Sequence, residues 1–167
     1  MDMQMNPGKM QELIVEKQMQ SGANWFYTIA GFSLINTIIT LAHLRVQFIV
    51  GLGVTELADV YGRASGGVGF ALGIDIIIAL VFVAFGFSAR KGQAWAFWVG
   101  MILYLLDGGL LFLIKDYITM AFHVYALWRI FQGFQASQQW QTLAAQNRRN
   151  SMETPTQGVW PPPPTSL

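Results

Sequence analysis

Four long apolar runs constrain this chain more than anything else in it. They cover about 24–44 (NWFYTIAGFSLINTIITLAHL), 67–87 (GVGFALGIDIIIALVFVAFGF), 94–114 (AWAFWVGMILYLLDGGLLFLI) and 117–134. Each approaches the roughly 20 residues that a helix needs to cross a bilayer. Lipid offers no hydrogen bonds to an exposed backbone, so a spanning segment must satisfy its own N–H and C=O groups. The expected fold is therefore all-α: an integral membrane four-helix bundle of four spans. Only Lys115 and Asp116 separate the third run from the fourth, which forces an antiparallel hairpin.

Composition agrees. Charged residues make up 11% of the 167-residue chain and hydrophobic ones 53%, whereas a soluble domain carries about 25% charged. The net charge of +1 lacks the dense basic footprint of a nucleic-acid binder. Without cysteine, disulfides, thiolate metal sites and thiol catalysis are excluded. The first run follows a polar leader of 23 residues and has no small-x-small exit, which argues against a cleavable signal.

Cations orient membrane spans. Lys9, Lys17, Arg90, Lys91, Arg129, Arg148 and Arg149 fall on one side, against Arg45, Arg63 and Lys115 on the other. Both termini are thus expected in the cytoplasm, with the chain in the inner membrane if the cell is bacterial. Trp25, Trp95, Trp98 and Trp128 lie towards the same inner ends, as an aromatic belt would.

The flanks divide the chain further. In the leader, 1–23, Asn6-Pro7 reads as an N-cap and first helical position, and Met10, Leu13 and Ile14 share one face of a short amphipathic helix. That helix would lie on the inner surface or pack under the bundle. The outer loop around 46–62 is too apolar for a solvated loop, and Glu56 and Asp59 stand in it, so an interfacial or re-entrant segment is expected. Residues 135–149 would extend the fourth helix in polar form. Residues 150–167, with the run WPPPPTSL, read as a disordered Pro-rich tail, whose polyproline II tendency leaves a cytoplasmic partner open.

The acids and imidazole inside the runs are the candidate functional residues. Asp107 and His123 each stand eight residues from Lys115 at the turn, so the hairpin brings them to one depth, about 12 Å below it at 1.5 Å per residue. Asp75 lies eight residues into the second run and Asn36 eight residues before the end of the first. Asn36, Asp75, Asp107 and His123 therefore form a polar layer, one residue per helix. Ser33, Thr40, Tyr104 and Thr119 fall beside them on supporting faces. Gly69 and Gly73 make a GxxxG pair of the kind that permits close helix contact. Arg129, near the inner end, is placed to snorkel to the headgroups.

This layer is compatible with several chemistries. An intramembrane acid costs about 2.5–3.5 kcal/mol if left charged and alone, so it pairs, protonates or serves a function. The leading expectation is a non-enzymatic membrane protein whose polar core fastens the bundle, and an oligomer is left open. The alternative is a small transporter or proton- or cation-coupled protein using Asp75, Asp107 and His123. Those three residues could also ligate Zn, Mn or Fe, although no local metal motif accompanies them. No other cofactor is expected: His43 and His123 are too far apart in depth to share a haem, and the glycine-rich GGVGFALG follows no strand. No GxSxG, HExxH or P-loop occurs. The implied partner is the lipid bilayer.

The segments WFYTIAGFSLIN (25–36), FIVGLGVTELAD (48–59) and GMILYLLDG (100–108) together resemble those of small four-span bacterial membrane proteins of uncharacterised activity. The resemblance covers roughly 20–135 and implies a fold but no reaction.

Overall fold

A computed structural model describes residues 7–41, 68–113 and 117–153, and every element among them is an α-helix. In chain order these are α1 (Pro7–Leu41), α2 (Val68–Arg90), α3 (Ala94–Leu113) and α4 (Tyr117–Glu153). Each helix packs on its neighbours in sequence, and α4 closes the ring against α1, giving a four-helix bundle. The 46–62 loop, His43 and the tail beyond 153 lie outside the described residues.

Local chemistry explains the helix limits. α1 begins at Pro7, where a fixed φ and a missing N–H cost nothing at the first helical position. No proline follows until after Glu153, so α1 and α4 run on as single helices of 35 and 37 residues, about 52 and 55 Å long. The leader is thus not a separate surface helix but the first turns of the helix that holds the first apolar run. Its Lys, Gln, Glu, Met and Leu residues are good helix formers and give the helix no reason to stop. Likewise the polar extension, 135–149, is continuous with the fourth apolar run.

α2 ends in a Schellman turn. Gln93 N–H donates to Ser88 C=O (3.3 Å) and Gly92 N–H to Ala89 C=O (3.0 Å), with Gly92 left-handed at φ 77°. A side chain at Gly92 would also strike the Trp140 ring, since its Cβ would lie 2.8 Å from Cζ3. Gln141 Nε2 donates to Gly92 C=O at 2.7 Å, tying this turn to α4. Past the turn, α1 and α4 continue together, joined where Asn147 Nδ2 donates to Glu12 Oε2 at 2.6 Å.

Two helical stretches, Leu72–Arg90 and Ala94–Leu111, are long and apolar enough by themselves to cross a membrane. The runs of α1 and α4 were expected to do so as well. Their composition is diluted by strongly polar residues: Asn24 and Asn36 on α1, and His123, Arg129 and Gln132 on α4, of which His123 is buried. Much of their outer face is nonetheless apolar, with Leu34, Ile35 and Ile38 exposed on α1 and Ile118, Val124, Trp128 and Phe131 on α4.

The bundle's lower half is held by aromatic rings. Phe26 is fully buried among Phe82, Phe85 and Phe97, with ring centroids 6.1–6.3 Å away. Glycine makes room for it: a Cβ on Gly100 would lie 2.4 Å from Phe26 Cε1. At the α1–α4 crossing the close approach is backbone to backbone, because a Cβ on Gly22 would run into Gly133 Cα. The sequence points to Gly69 and Gly73 as a close-packing pair, but a Cβ at either meets nothing within 4 Å among the described residues.

Candidate functional site

Beside its aromatic core the bundle buries a set of polar groups, while large apolar side chains cover its outside. Ser33, Thr37, Asp75, Asp107, Thr119 and His123 are buried, while Ile77, Leu80, Leu105, Leu106, Ile118 and Val124 are each about 60% exposed or more. The buried polar groups form two bonded pairs, each across one consecutive helix hairpin.

The first pair joins α3 to α4. His123 Nε2 lies 2.8 Å from Asp107 Oδ2, and His123 Nδ1 lies 2.9 Å from the Thr119 carbonyl. A carbonyl can only accept, so Nδ1 carries a hydrogen and donates it to Thr119. One further proton must then lie between Nε2 and Oδ2. Either an imidazolium donates to a carboxylate, or a carboxylic acid donates to a neutral imidazole. Both arrangements give the pair zero net charge, which is what a site away from water tolerates. Tyr104, one turn before Asp107, stacks on the imidazole with centroids 4.2 Å apart and planes 12° apart. The stack covers one ring face and fixes the ring's orientation. Gly108 lies at van der Waals distance, since a Cβ there would stand 3.6 Å from His123 Cδ2.

The second pair joins α1 to α2. Thr37 Oγ1 donates to Asp75 Oδ2 at 2.7 Å and stands 3.1 Å from the Ser33 carbonyl. One hydroxyl hydrogen thus faces two acceptors, and a proton on Asp75 would complete the chain from Asp75 through Thr37 to Ser33. Ser33 itself is fully buried, and its Oγ has no hydrogen-bond partner among the described residues.

The residue expected to represent α1 in the polar layer was Asn36. The structure leaves Asn36 half-buried and gives the bond with Asp75 to Thr37, one position on. Successive helix positions differ by about 100° in direction, so depth alone could not choose between them. Thr40 belongs to α1, but its side chain lies outside those described. Thr119 contributes a backbone carbonyl to His123. Arg129 is half-buried and turned onto α1, donating from Nη2 to Ser21 Oγ at 3.1 Å.

Asp75 does not join Asp107 and His123 as a metal set: among the described residues no three His, Asp or Glu side chains gather into a possible metal site. Both His123 nitrogens are already bonded within the helix pair. No protein-family model, curated protein or solved structure matches the chain.

Proposed function

We propose that this chain is a multi-pass membrane protein spanning the bilayer four times, with both termini in the cytoplasm and a polar core that fastens its helices. One observation carries the reading: an outer surface of large apolar side chains around a core that buries acids, an imidazole and hydroxyls beside its aromatic rings. Water disfavours so apolar an exterior, whereas lipid makes it the low-energy one. The cations support the orientation. Lys9, Lys17, Arg90, Lys91, Arg148 and Arg149 all fall towards the end where α1 starts and α4 finishes, the end expected to face the cytoplasm. Trp95, Trp98 and Trp128 are half-exposed nearer that end.

In this role the two pairs act as fasteners. Thr37–Asp75 locks α1 to α2, and Asp107–His123 locks α3 to α4. A second reading is favoured by the single proton held between Asp107 and His123: the same pair would serve proton- or cation-coupled transport. A cytoplasmic partner of the Pro-rich tail, and assembly of several copies, are separate proposals that leave the core unchanged.

The chain's lack of cysteine gives a clean test. Single cysteines replacing Lys9, Glu56 and Arg149 would be exposed to a membrane-impermeant maleimide in intact cells. Labelling at position 56 alone, with 9 and 149 reacting only after lysis, is the expected result. Labelling of 9 and 149 on opposite sides would overturn the four-span topology.

A further inference from the structure

Arg129 is a charged side chain turned into the α1–α4 contact close to the glycine crossing, and neither Thr37–Asp75 nor Asp107–His123 uses it. Its guanidinium donates from Nη1 to Gln132 Oε1 and from Nη2 to Ser21 Oγ, both at 3.1 Å. Both acceptors are neutral. Among the described residues the only ion pair is Asp107–His123, so no carboxylate balances this cation. Its Nε–H is buried and has no acceptor among the described residues. Half-buried positive charge of this kind is costly unless an anion offsets it.

The surroundings suggest what the anion is. Arg129 stands one helical turn before Gly133, where α1 and α4 come closest, and its own carbonyl lies against Gly22. Beside it runs an aromatic group: Trp25 meets Tyr125 edge-on at 5.3 Å, and Tyr125 meets Trp128 at 6.1 Å. Tyr125 and Trp128 are each about half exposed on the outer surface. Amphipathic rings of this kind sit at headgroup level in membrane proteins. A guanidinium fork matches a phosphate in geometry as well as charge.

We propose that Arg129, with Ser21 and Gln132, forms a binding site for a phosphate group. Such a phosphate is available from a phospholipid headgroup of the cytoplasmic leaflet or as the free ion. The lipid source rests on the four-span reading above, whereas the chemistry of the site does not. Ser21 and Gln132 hold the fork in place, and the phosphate oxygens would take over one or both of its donor pairs.

Two arms test this with the full-length protein. In the first, detergent-purified protein is incubated with phosphatidylglycerol and retained lipid is read by native mass spectrometry. In the second, its unfolding temperature is followed against inorganic phosphate, with chloride at matched ionic strength. Parent protein should retain lipid or be raised in unfolding temperature by phosphate. Arg129→Gln should weaken that binding at least about tenfold, the effect of losing a charge-assisted bidentate contact. Arg149→Gln, which removes an exposed charge, should leave it unchanged. Should Arg129→Gln fold poorly, Arg129→Lys keeps the charge without the fork and should still lose most of the binding. Lipid retention alone assigns the headgroup, and a phosphate response alone assigns the free ion. Equal binding by parent and Arg129→Gln, or no binding in either arm, would overturn the site. Neither result alters the cysteine-labelling pattern, so the site and the topology fail separately.

Discussion

Replacing Gly133 with leucine is expected to lower the unfolding temperature of the purified protein by about 6–12 °C. The change puts a side chain where α1 and α4 touch backbone to backbone: even a Cβ at Gly133 would lie 2.7 Å from Gly22 Cα and 3.0 Å from the Phe97 ring. Phe97 is itself fully buried, and backbone atoms cannot rotate away. Overpacking a close-packed site costs typically 1–3 kcal/mol. This one stands at the upper end, at about 3 kcal/mol, and for a chain of this size each kcal/mol moves the midpoint by about 2–4 °C. Gly22→Ala should act in the same direction with a smaller loss. Because both glycines serve one crossing, Gly22→Ala and Gly133→Ala together should cost less than the sum of the two. Gly31→Ala is the control. A Cβ there meets nothing within 4 Å, so its effect should stay within about 0.5 kcal/mol, the range of surface substitutions. Thermal unfolding followed by circular dichroism reads every one of these variants.

The second large effect belongs to Asp107. Asp107→Leu leaves His123 Nε2 buried without its 2.8 Å partner. Breaking a buried charged pair from one side costs about 3–5 kcal/mol in soluble proteins, while interhelical hydrogen bonds in membranes average about 0.6 kcal/mol. A loss of about 2–3 kcal/mol lies between them, equivalent to about 4–12 °C in unfolding temperature. Asp107→Asn should behave differently. Its amide N–H can donate to Nε2 of a neutral imidazole, while Nδ1–H still donates to Thr119 C=O. The pair stays neutral and bonded, so the loss should be under about 1 kcal/mol. The same variant separates the two functional readings. A fastener survives the amide, whereas a proton site loses the proton it exchanges.

The sequence carried much of this account, and each shortfall has a physical reason. Helix rise alone brings Asp107 and His123 to the same depth, because two residues separate the third and fourth runs and leave little freedom of register. The longer link between the first two runs gives no such constraint. The choice between Asn36 and Thr37 is one of direction around α1, and both residues are polar, so no periodic signal separates them. The glycine contacts were the least legible. GxxxG in 69–73 matches the usual pattern, yet the real crossing uses Gly22 and Gly133, which are far apart in sequence and meet only after α1 and α4 pair. Arg129 looked free to snorkel because its neutral partners, Ser21 and Gln132, carry no charge signal. The continuity of α1 through residue 23 was legible in principle, since nothing between Lys9 and Trp25 breaks a helix except a glycine needed for packing.

The central claim is that the bundle's apolar exterior faces lipid while its polar pairs face each other. Spin labels on single cysteines replacing Ile77, Leu105 and Val124 test it most directly, in protein reconstituted into phospholipid vesicles. All three positions are about 60% exposed on the bundle surface. The account predicts strong relaxation by molecular oxygen, which dissolves in the hydrocarbon, and little by a water-soluble nickel chelate. Strong relaxation by the chelate at these positions would place the apolar surface in water and contradict the account.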